Sequence, residues 1–294
     1  MAKVSLITVN FNQTELTFEL LQSVRSLAGS DLEVIVVDNG STENPASLFQ
    51  AKYPFVRFIR SEQNLGFAGG NNLAITIATG DYLFFVNNDT EISPNCIQTL
   101  AAFLQQTPNA GMVSPLICYH PSANSPTIIQ YAGMTPVHPF TGRNHTIGNG
   151  DVNEGQYTQP FRTAYAHGAA MMISRKVLDR VGPMPEEYFL YYEELDWCTR
   201  IKKAGYEIWL EPRATIWHKE SATLNTMGAT KTYYLTRNRI RFMRKHFGGW
   251  RFGFFCVYFG LIATPKYLIT RLIKGDWSNI SAFFKAAHSS FGAV

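Results

Sequence analysis

The sequence predicts an α/β protein, a mixed and mostly parallel central sheet flanked by helices, followed by a basic and aromatic helical extension. Three observations predict it. Short apolar runs alternate with segments of helical periodicity through the first 117 residues, the pattern of βαβ units. Most of these runs end on small polar or acidic residues, where a parallel sheet places its ligands. Charge is also divided unevenly. Residues 221–294 hold eleven Lys/Arg against one acid, Asp276, a net of +10, whereas residues 1–220 hold fifteen against twenty-one.

The apolar runs at 4–9, 32–37, 56–59 and 82–86 are the first strand candidates. Between the first two, Leu16, Leu20, Val24 and Leu27 recur at helical spacing and form a face that can pack on a sheet. Asn44-Pro45 offers a capping residue and a proline for the first position of the next helix. A third helix is expected over 66–79, a fourth over 94–107 and a buried strand over 110–117. Residues 118–165, rich in Pro, Gly, Asn and Thr, read as irregular strands and loops. A strand at 168–173 then precedes a helix capped by Ser174 and stopped at Gly182-Pro183. A helix over 193–204, closed by Gly205, strands at 206–210 and 214–217, and a basic helix over 230–247 complete the pattern. Cys96, Cys118, Cys198 and Cys256 form no C-x-x-C pair and read as reduced thiols. The N-terminal apolar run stops at Asn10, too short for a signal-peptide core, so a cytoplasmic chain is expected.

Chemistry concentrates at the strand ends. Thr8 and Asn10, Asp38-Asn39, and Asn87-Asn88-Asp89 all close apolar runs. Asp38 either accepts from a nucleoside or shapes the Asp38-Asn39-Gly40-Ser41 turn. Asp89 suits a hard divalent cation bridging a diphosphate, and Asn87 offers a carbonyl oxygen or a ribose contact. Glu193, Glu194 and Asp196 open a helix. Acids are favoured there in any case, and Asp196 pairs at i,i+4 with Arg200, yet one of them can also serve as a general base. His218 closes another strand, as a structural residue or as a further metal ligand, with imidazole favouring manganese over magnesium.

These residues fall in a recognisable order: Thr8-Val9-Asn10-Phe11-Asn12, Val36-Val37-Asp38-Asn39-Gly40-Ser41, Asn64-Leu65-Gly66-Phe67-Ala68-Gly69-Gly70-Asn71-Asn72, Asn87-Asn88-Asp89, the run from Glu193 to Arg200, and Trp217-His218. From Val4 to about Phe247 the chain resembles the family 2 glycosyltransferases, particularly the bacterial rhamnosyltransferase-like members. The resemblance implies a GT-A-type fold over residues 1–228, with a donor half to about 117, an acceptor half over 118–228, and a helical extension over 229–294. It implies donor binding by Thr8, Asn10, Asp38, Asn64, Gly66, Asn71, Asn87 and Asn88. Asp89, matching the last acid of the family's D-x-D motif, and His218 would hold Mn2+ or Mg2+. Glu194 would be the base, with Glu193 and Asp196 as alternates, and His167, Gly168 and Trp197 would lie at the sugar or acceptor pocket. Two positions depart from the family pattern: Asn87 replaces the first D-x-D acid, and Glu194 stands where aspartate is usual. No Q-x-x-R-W sequence of processive synthases occurs.

The resemblance therefore implies an inverting, single-addition enzyme, with L-rhamnose from dTDP-rhamnose preferred over a galactofuranosyl or glucosyl UDP-sugar. A non-catalytic nucleotide-sugar-binding protein is the competing class, and the acidic first 220 residues argue against nucleic acid. In the basic tail Arg237, Arg241 and Arg244 share one helix face, expected to meet diphosphate or lipid. The apolar run over 252–264 is shorter than the roughly 20 residues a spanning helix needs, so an interfacial anchor on the cytoplasmic leaflet is expected, with a saccharide acceptor linked to lipid.

Overall fold

In the computed structural model of the protein, residues 2–27, 31–121, 125–219 and 228–291 are described. They gather into two compact units, Met1–Thr135 with Thr146–Phe189 and Glu193–Glu220, and Pro136–His145 with Leu190–Tyr192 and Ser221–Val294. Two segments of the expected catalytic part, 136–145 and 190–192, thus cluster with the C-terminal helices.

In the first unit β1 (Val4–Asn10), β2 (Leu32–Asn39), β3 (Val56–Ser61) and β4 (Tyr82–Val86) run parallel, in the order β3-β2-β1-β4. Leu6, Ile7, Ile35, Val36 and Val37 are fully buried, as continuous β-branched runs in a sheet covered on both faces should be. Each such side chain contributes about 1.5–3 kcal/mol by leaving water. Helices α1 (Thr14–Val24), α2 (Ala46–Lys52) and α3 (Gly66–Ile75) make the crossovers. The buried face of α1 is Thr17, Phe18, Leu20, Leu21 and Val24, rotated from the expected Leu16–Leu27 stripe because Phe18 packs edge-on against Phe49 and the helix ends at Val24. α3 ends at Ile75, short of the expected 79.

After β5 (Thr90–Ile92) and α4 (Cys96–Gln106), β6 (Ala110–Tyr119) continues the sheet. The segment read as irregular contributes two three-residue strands, β7 (Ile129–Tyr131) beside β6 and β8 (Phe161–Thr163). β9 (Ala170–Ser174) is inserted antiparallel between β4 and β6. Helix α5 (Arg175–Val181), whose Val177 N–H is capped by Ser174, and helix α6 (Glu193–Lys203) follow. β10 (Glu207–His218) runs parallel to β6 and carries both β8 and β5 antiparallel to it, which makes the sheet mixed. Two strands were expected where β10 is one. A register shift between Glu211 and Thr215 breaks the apolar pattern while the strand continues, and the fully buried Glu211 carboxylate accepts from Arg213 Nε at 2.8 Å.

The second unit holds α7 (Gly228–Phe247), α8 (Gly249–Ile273) and α9 (Trp277–Phe291). Its core includes Ile240, Phe242, Met243, Phe255, Phe259 and Phe283, with Phe283 stacked on both Phe259 and Tyr267. The buried Asn238 amide of α7 donates to the carbonyls of Leu190 and Tyr191 at 2.7 and 2.8 Å. α8 corrects the expected short apolar run. Helical structure continues through Pro265 by way of a π-turn at Phe259–Ala263, giving 25 residues long and apolar enough to cross a membrane by length and composition. Most of α8 is exposed, and Trp250, Phe254, Val257 and Leu261 stand 60–74% exposed along one face.

Candidate active site

The carboxyl ends of β1, β2 and β4 are tied by a buried hydrogen-bond chain. Asn88 Nδ2 donates to Thr17 Oγ1 at 3.0 Å, Thr17 donates to Asn10 Oδ1 at 3.0 Å, and Asn10 Nδ2 donates to Asp38 Oδ1 at 2.8 Å. Ser41 Oγ donates to the same Asp38 oxygen at 2.5 Å, and Arg60 stands 3.4 Å from the other. Asn10 and Asp38 are therefore fully buried and committed to each other, while Thr8 Oγ1 is buried without a hydrogen-bond partner among the described residues. Phe11, which follows Asn10, is 40% exposed.

One step down the sheet, Asn39 Nδ2 donates to Asn64 Oδ1, which also accepts from the Gly66 N–H at 2.9 Å, so Asn64 closes the turn that starts α3. Gly66 has φ +75°, and a Cβ there would lie 2.3 Å from the Phe189 carbonyl oxygen. That oxygen accepts from Phe67 N–H at 2.7 Å, and Asn72 clasps both the N–H and the carbonyl of Met184 at 3.0 and 2.9 Å. The loop before α6 is thereby stitched to the start of α3. The stitching holds an unusual backbone: Phe189, Tyr191 and Tyr192 all have positive φ, a strained state for aromatic residues. Asn71 is turned inward to its own helix, with Nδ2 on Phe67 O.

At the end of β4, Asp89 Oδ1 lies 3.0 Å from Nε2 of His218, which β10 delivers through its pairing with β5. Gln130 Oε1 stands 2.8 Å from His218 Nδ1. An amide oxygen can only accept, so Nδ1 donates to it, and Nε2 faces the carboxylate as an ion-pair partner when protonated and as a lone pair when not. With Nε2 unprotonated, the two atoms are acceptors that can share a cation. Cis ligands of an octahedral ion with bonds of about 2.1 Å sit about 3 Å apart, so Asp89 and His218 fit a divalent metal. Among the described residues no group of three His, Cys, Asp or Glu converges, and Asn87 Nδ2 lies 3.5 Å from the same imidazole nitrogen.

His167 lies beside this pair, its ring centroid 6.4 Å from that of His218 and 5.3 Å from that of Tyr131. Burial, with His218 adding to it, pushes its pKa down to about 3, and its Nδ1 accepts from Ala169 N–H at 3.1 Å. The neutral ring is left with Nε2–H as a donor. A consequence is testable. The unfolded imidazole takes its proton near 6.5 and the folded one near 3, so stability falls as pH drops below about 6.5. Glu33, held near 2 rather than 4.5 by Ser5, Thr79 and Arg57 against the opposing effect of burial, adds its own loss only below about 4.5. His167→Gln is expected to flatten the stability profile between about pH 6.5 and 4.5 in urea unfolding.

Three of the expected site residues are placed elsewhere. Trp197 is not at a sugar or acceptor pocket: it is fully buried, edge-on to Phe85 with its indole N–H on Gly182 O, because α6 turns this face onto the sheet. Asp196 is likewise in the core, accepting from Tyr188 Oη at 2.8 Å and facing Arg200 at 3.4 Å. Asn88 is turned to α1. Of the three acids opening α6, Glu193 is 4% exposed and Asp196 0%, while Glu194 is partly exposed as a residue with its Oε2 buried. Gly168 is partly exposed next to His167, and a Cβ there would meet only the tip of Phe67 at 3.8 Å. Arg237 is spread over the rings of Tyr233 and Tyr234, and Arg244 over Phe252.

Residues 5–182 match the family model described as Glycosyl transferase family 2. The low-salt glycan biosynthesis hexosyltransferase of Haloferax volcanii is 29% identical over 70% of this chain, which spans 63% of that relative's length. The N-acetylglucosaminyl-diphospho-decaprenol L-rhamnosyltransferase of Mycobacterium tuberculosis is 24% identical over 82% of this chain and 84% of its own. The dTDP-rhamnosyl transferase of Shigella flexneri is 23% identical over 86% and 85%. Among solved structures, the Pyrobaculum calidifontis mannosyltransferase with GDP-Man and Mn2+ superposes with a TM-score of 0.59 at 16% identity, over 99% of this chain and 87% of that one. GalNAc-T7 with UDP, GalNAc and Mn2+ gives 0.61 at 15%, over 82% and 52%. A family match over more than half the chain, on a sheet of this order, makes the chain a member of the family 2 glycosyltransferases, similar to their rhamnosyltransferases.

Proposed function

We propose that the chain transfers one sugar, L-rhamnose from dTDP-rhamnose, to a saccharide carried on a lipid diphosphate, by metal-dependent displacement with inversion. The observation that carries the reading is the Asp89–His218 pair at 3.0 Å, with the imidazole oriented by Gln130, at the sheet edge where a donor diphosphate belongs. The names of the Mycobacterium and Shigella relatives supply the choice of sugar, nucleotide and acceptor type. Asp89 and His218 would hold Mn2+ or Mg2+, which neutralises charge growing on the leaving diphosphate.

The chain's own residues supply the rest. Glu194, the acid of the three with exposed surface, takes the proton from the acceptor hydroxyl as its oxygen attacks the anomeric carbon. The turn at Asn64–Gly66 presents the start of α3 to the donor, while the buried Asn10–Asp38 chain fixes the strand ends beneath the nucleoside. His167, neutral, offers its Nε2–H to a sugar oxygen. Donor binding and hydrolysis, followed by calorimetry and released nucleotide with Mn2+ and a panel of dTDP-, UDP- and GDP-sugars, test the reading. Selective, metal-dependent hydrolysis of dTDP-rhamnose is the expected result. A UDP-sugar in its place would overturn the donor, and no binding to any would overturn the transferase mechanism.

The +10 tail and the exposed face of α8 support attachment to the cytoplasmic membrane surface. Replacing Trp250, Phe254 and Leu261 together by Ser is expected to abolish co-flotation with vesicles rich in phosphatidylglycerol. Undiminished flotation would rule out this face as the anchor.

A further inference from the structure

The second unit contains a cavity of about 450 Å³ that the transfer reaction does not use. It lies among α7, α8, α9, Arg143 and Tyr192, and its size falls within the ordinary range of ligand sites, about 300–1,000 Å³. Four cations line it: Arg143, Arg239, Lys266 and Arg271. No Asp or Glu does. Among the described residues only Arg271 has a carboxylate partner, Asp276 at 3.0 Å.

Arg239 is the most telling of the four. Its guanidinium lies over the rings of Phe255 and Phe259 at 5.8 Å and donates to Thr141 O, while its Nε is buried without a hydrogen-bond partner among the described residues. Burial lowers its pKa and neighbouring Arg143 adds to that, against the opposing effect of Tyr192 and Tyr258. Arg239 is half-buried with no facing carboxylate in this lining, and an anionic ligand would offset the partial desolvation of its guanidinium. The tail basics expected to meet diphosphate, Arg237, Arg241 and Arg244, are not in this lining.

Helix α8 serves the cavity and the exposed apolar surface at once. Ala263, Lys266 and Tyr267 face the cavity, while Leu261, Ile262 and Ile269 are 58–74% exposed. The matching ligand carries two phosphates at one end and an apolar chain at the other. We propose that this cavity binds the diphosphate of a lipid-linked acceptor, with the lipid chain running out along the exposed side of α8. The proposal deepens the acceptor reading given above. Tyr192, which forms part of the wall, precedes the proposed base Glu194 by two residues.

The test titrates the full chain, in detergent, with farnesyl diphosphate, farnesol, inorganic pyrophosphate and phosphatidylglycerol vesicles, by calorimetry. Farnesyl diphosphate is expected to bind, with farnesol and pyrophosphate each weaker by about tenfold or more. The double variant Arg143→Gln/Lys266→Gln, at two exposed positions, should lose about tenfold or more in affinity with an unchanged melting temperature. Arg143→Lys/Lys266→Arg should retain binding. Equal binding of farnesol, displacement by phosphatidylglycerol or pyrophosphate as effectively as by farnesyl diphosphate, or an unaffected double variant would overturn the site. Metal-dependent donor hydrolysis by the unaltered chain is measured alongside. Its absence with farnesyl diphosphate still bound would count against the donor chemistry and for this cavity, and the reverse pattern would sink the cavity alone.

Discussion

Glu194→Gln is expected to lower the turnover number about 10²–10⁴-fold while donor affinity stays within about twofold of the original. The amide keeps the volume and the hydrogen-bonding reach of the carboxylate but cannot take a proton. Glu194 opens α6 with its neighbours already occupied: Asp196 is fully buried against Tyr188 and Arg200, and Glu193 is 4% exposed. Asp196→Asn should accordingly show itself as lost stability, because its partner Arg200 would be left facing an amide in a buried setting. Single-turnover transfer together with donor calorimetry separates the two effects. Full activity in Glu194→Gln would move the base elsewhere, and transfer absent from the unaltered chain as well would favour the non-catalytic, nucleotide-sugar-binding class.

Asp89→Asn is expected to cost about 10³-fold in metal-dependent donor hydrolysis, since the cation contributes several kcal/mol to the departing charge and each 1.4 kcal/mol is tenfold. The effect should be large because Asn87, two residues earlier, is neutral, leaving Asp89 as the carboxylate at this strand end. A graded companion is Gln130→Leu, which keeps both ligands but removes the acceptor 2.8 Å from His218 Nδ1. Losing such an orienting partner typically costs about 10–100-fold in metal affinity. Mn2+ titration followed by electron paramagnetic resonance reads both. Unchanged Mn2+ affinity in Asp89→Asn would remove the carboxylate from the shell.

The strands were legible because continuous Val and Ile runs bounded by polar residues have few alternatives, and β1, β2 and β4 lie where those runs are. Asp89 and His218 were legible separately, as strand-end residues. Their contact was not, because it depends on β5 folding back antiparallel onto β10 across more than a hundred residues. Gln130 gave no signal, since it belongs to a three-residue strand inside a stretch with no period. Trp197 was placed at the sugar or acceptor pocket by resemblance, and only the packing of α6 on Phe85 reveals it as core. Asn10 and Asp38 were legible only as residues at two separate strand ends, because periodicity cannot tell a side chain reaching for a ligand from one reaching for its neighbour.

The π-turn in α8 acts as a phase shift. One residue of helix is about 100° of rotation, so an extra residue taken up before Pro265 advances everything after it by that angle. The stripe of Trp250, Phe254, Val257 and Leu261 therefore does not continue straight down the helix, and Lys266 and Tyr267 come round to the cavity instead. A variant lacking one residue of the turn would keep every other side chain of α8 and yet dial the cavity wall out of alignment, so the length of this helix encodes an angle as well as a reach.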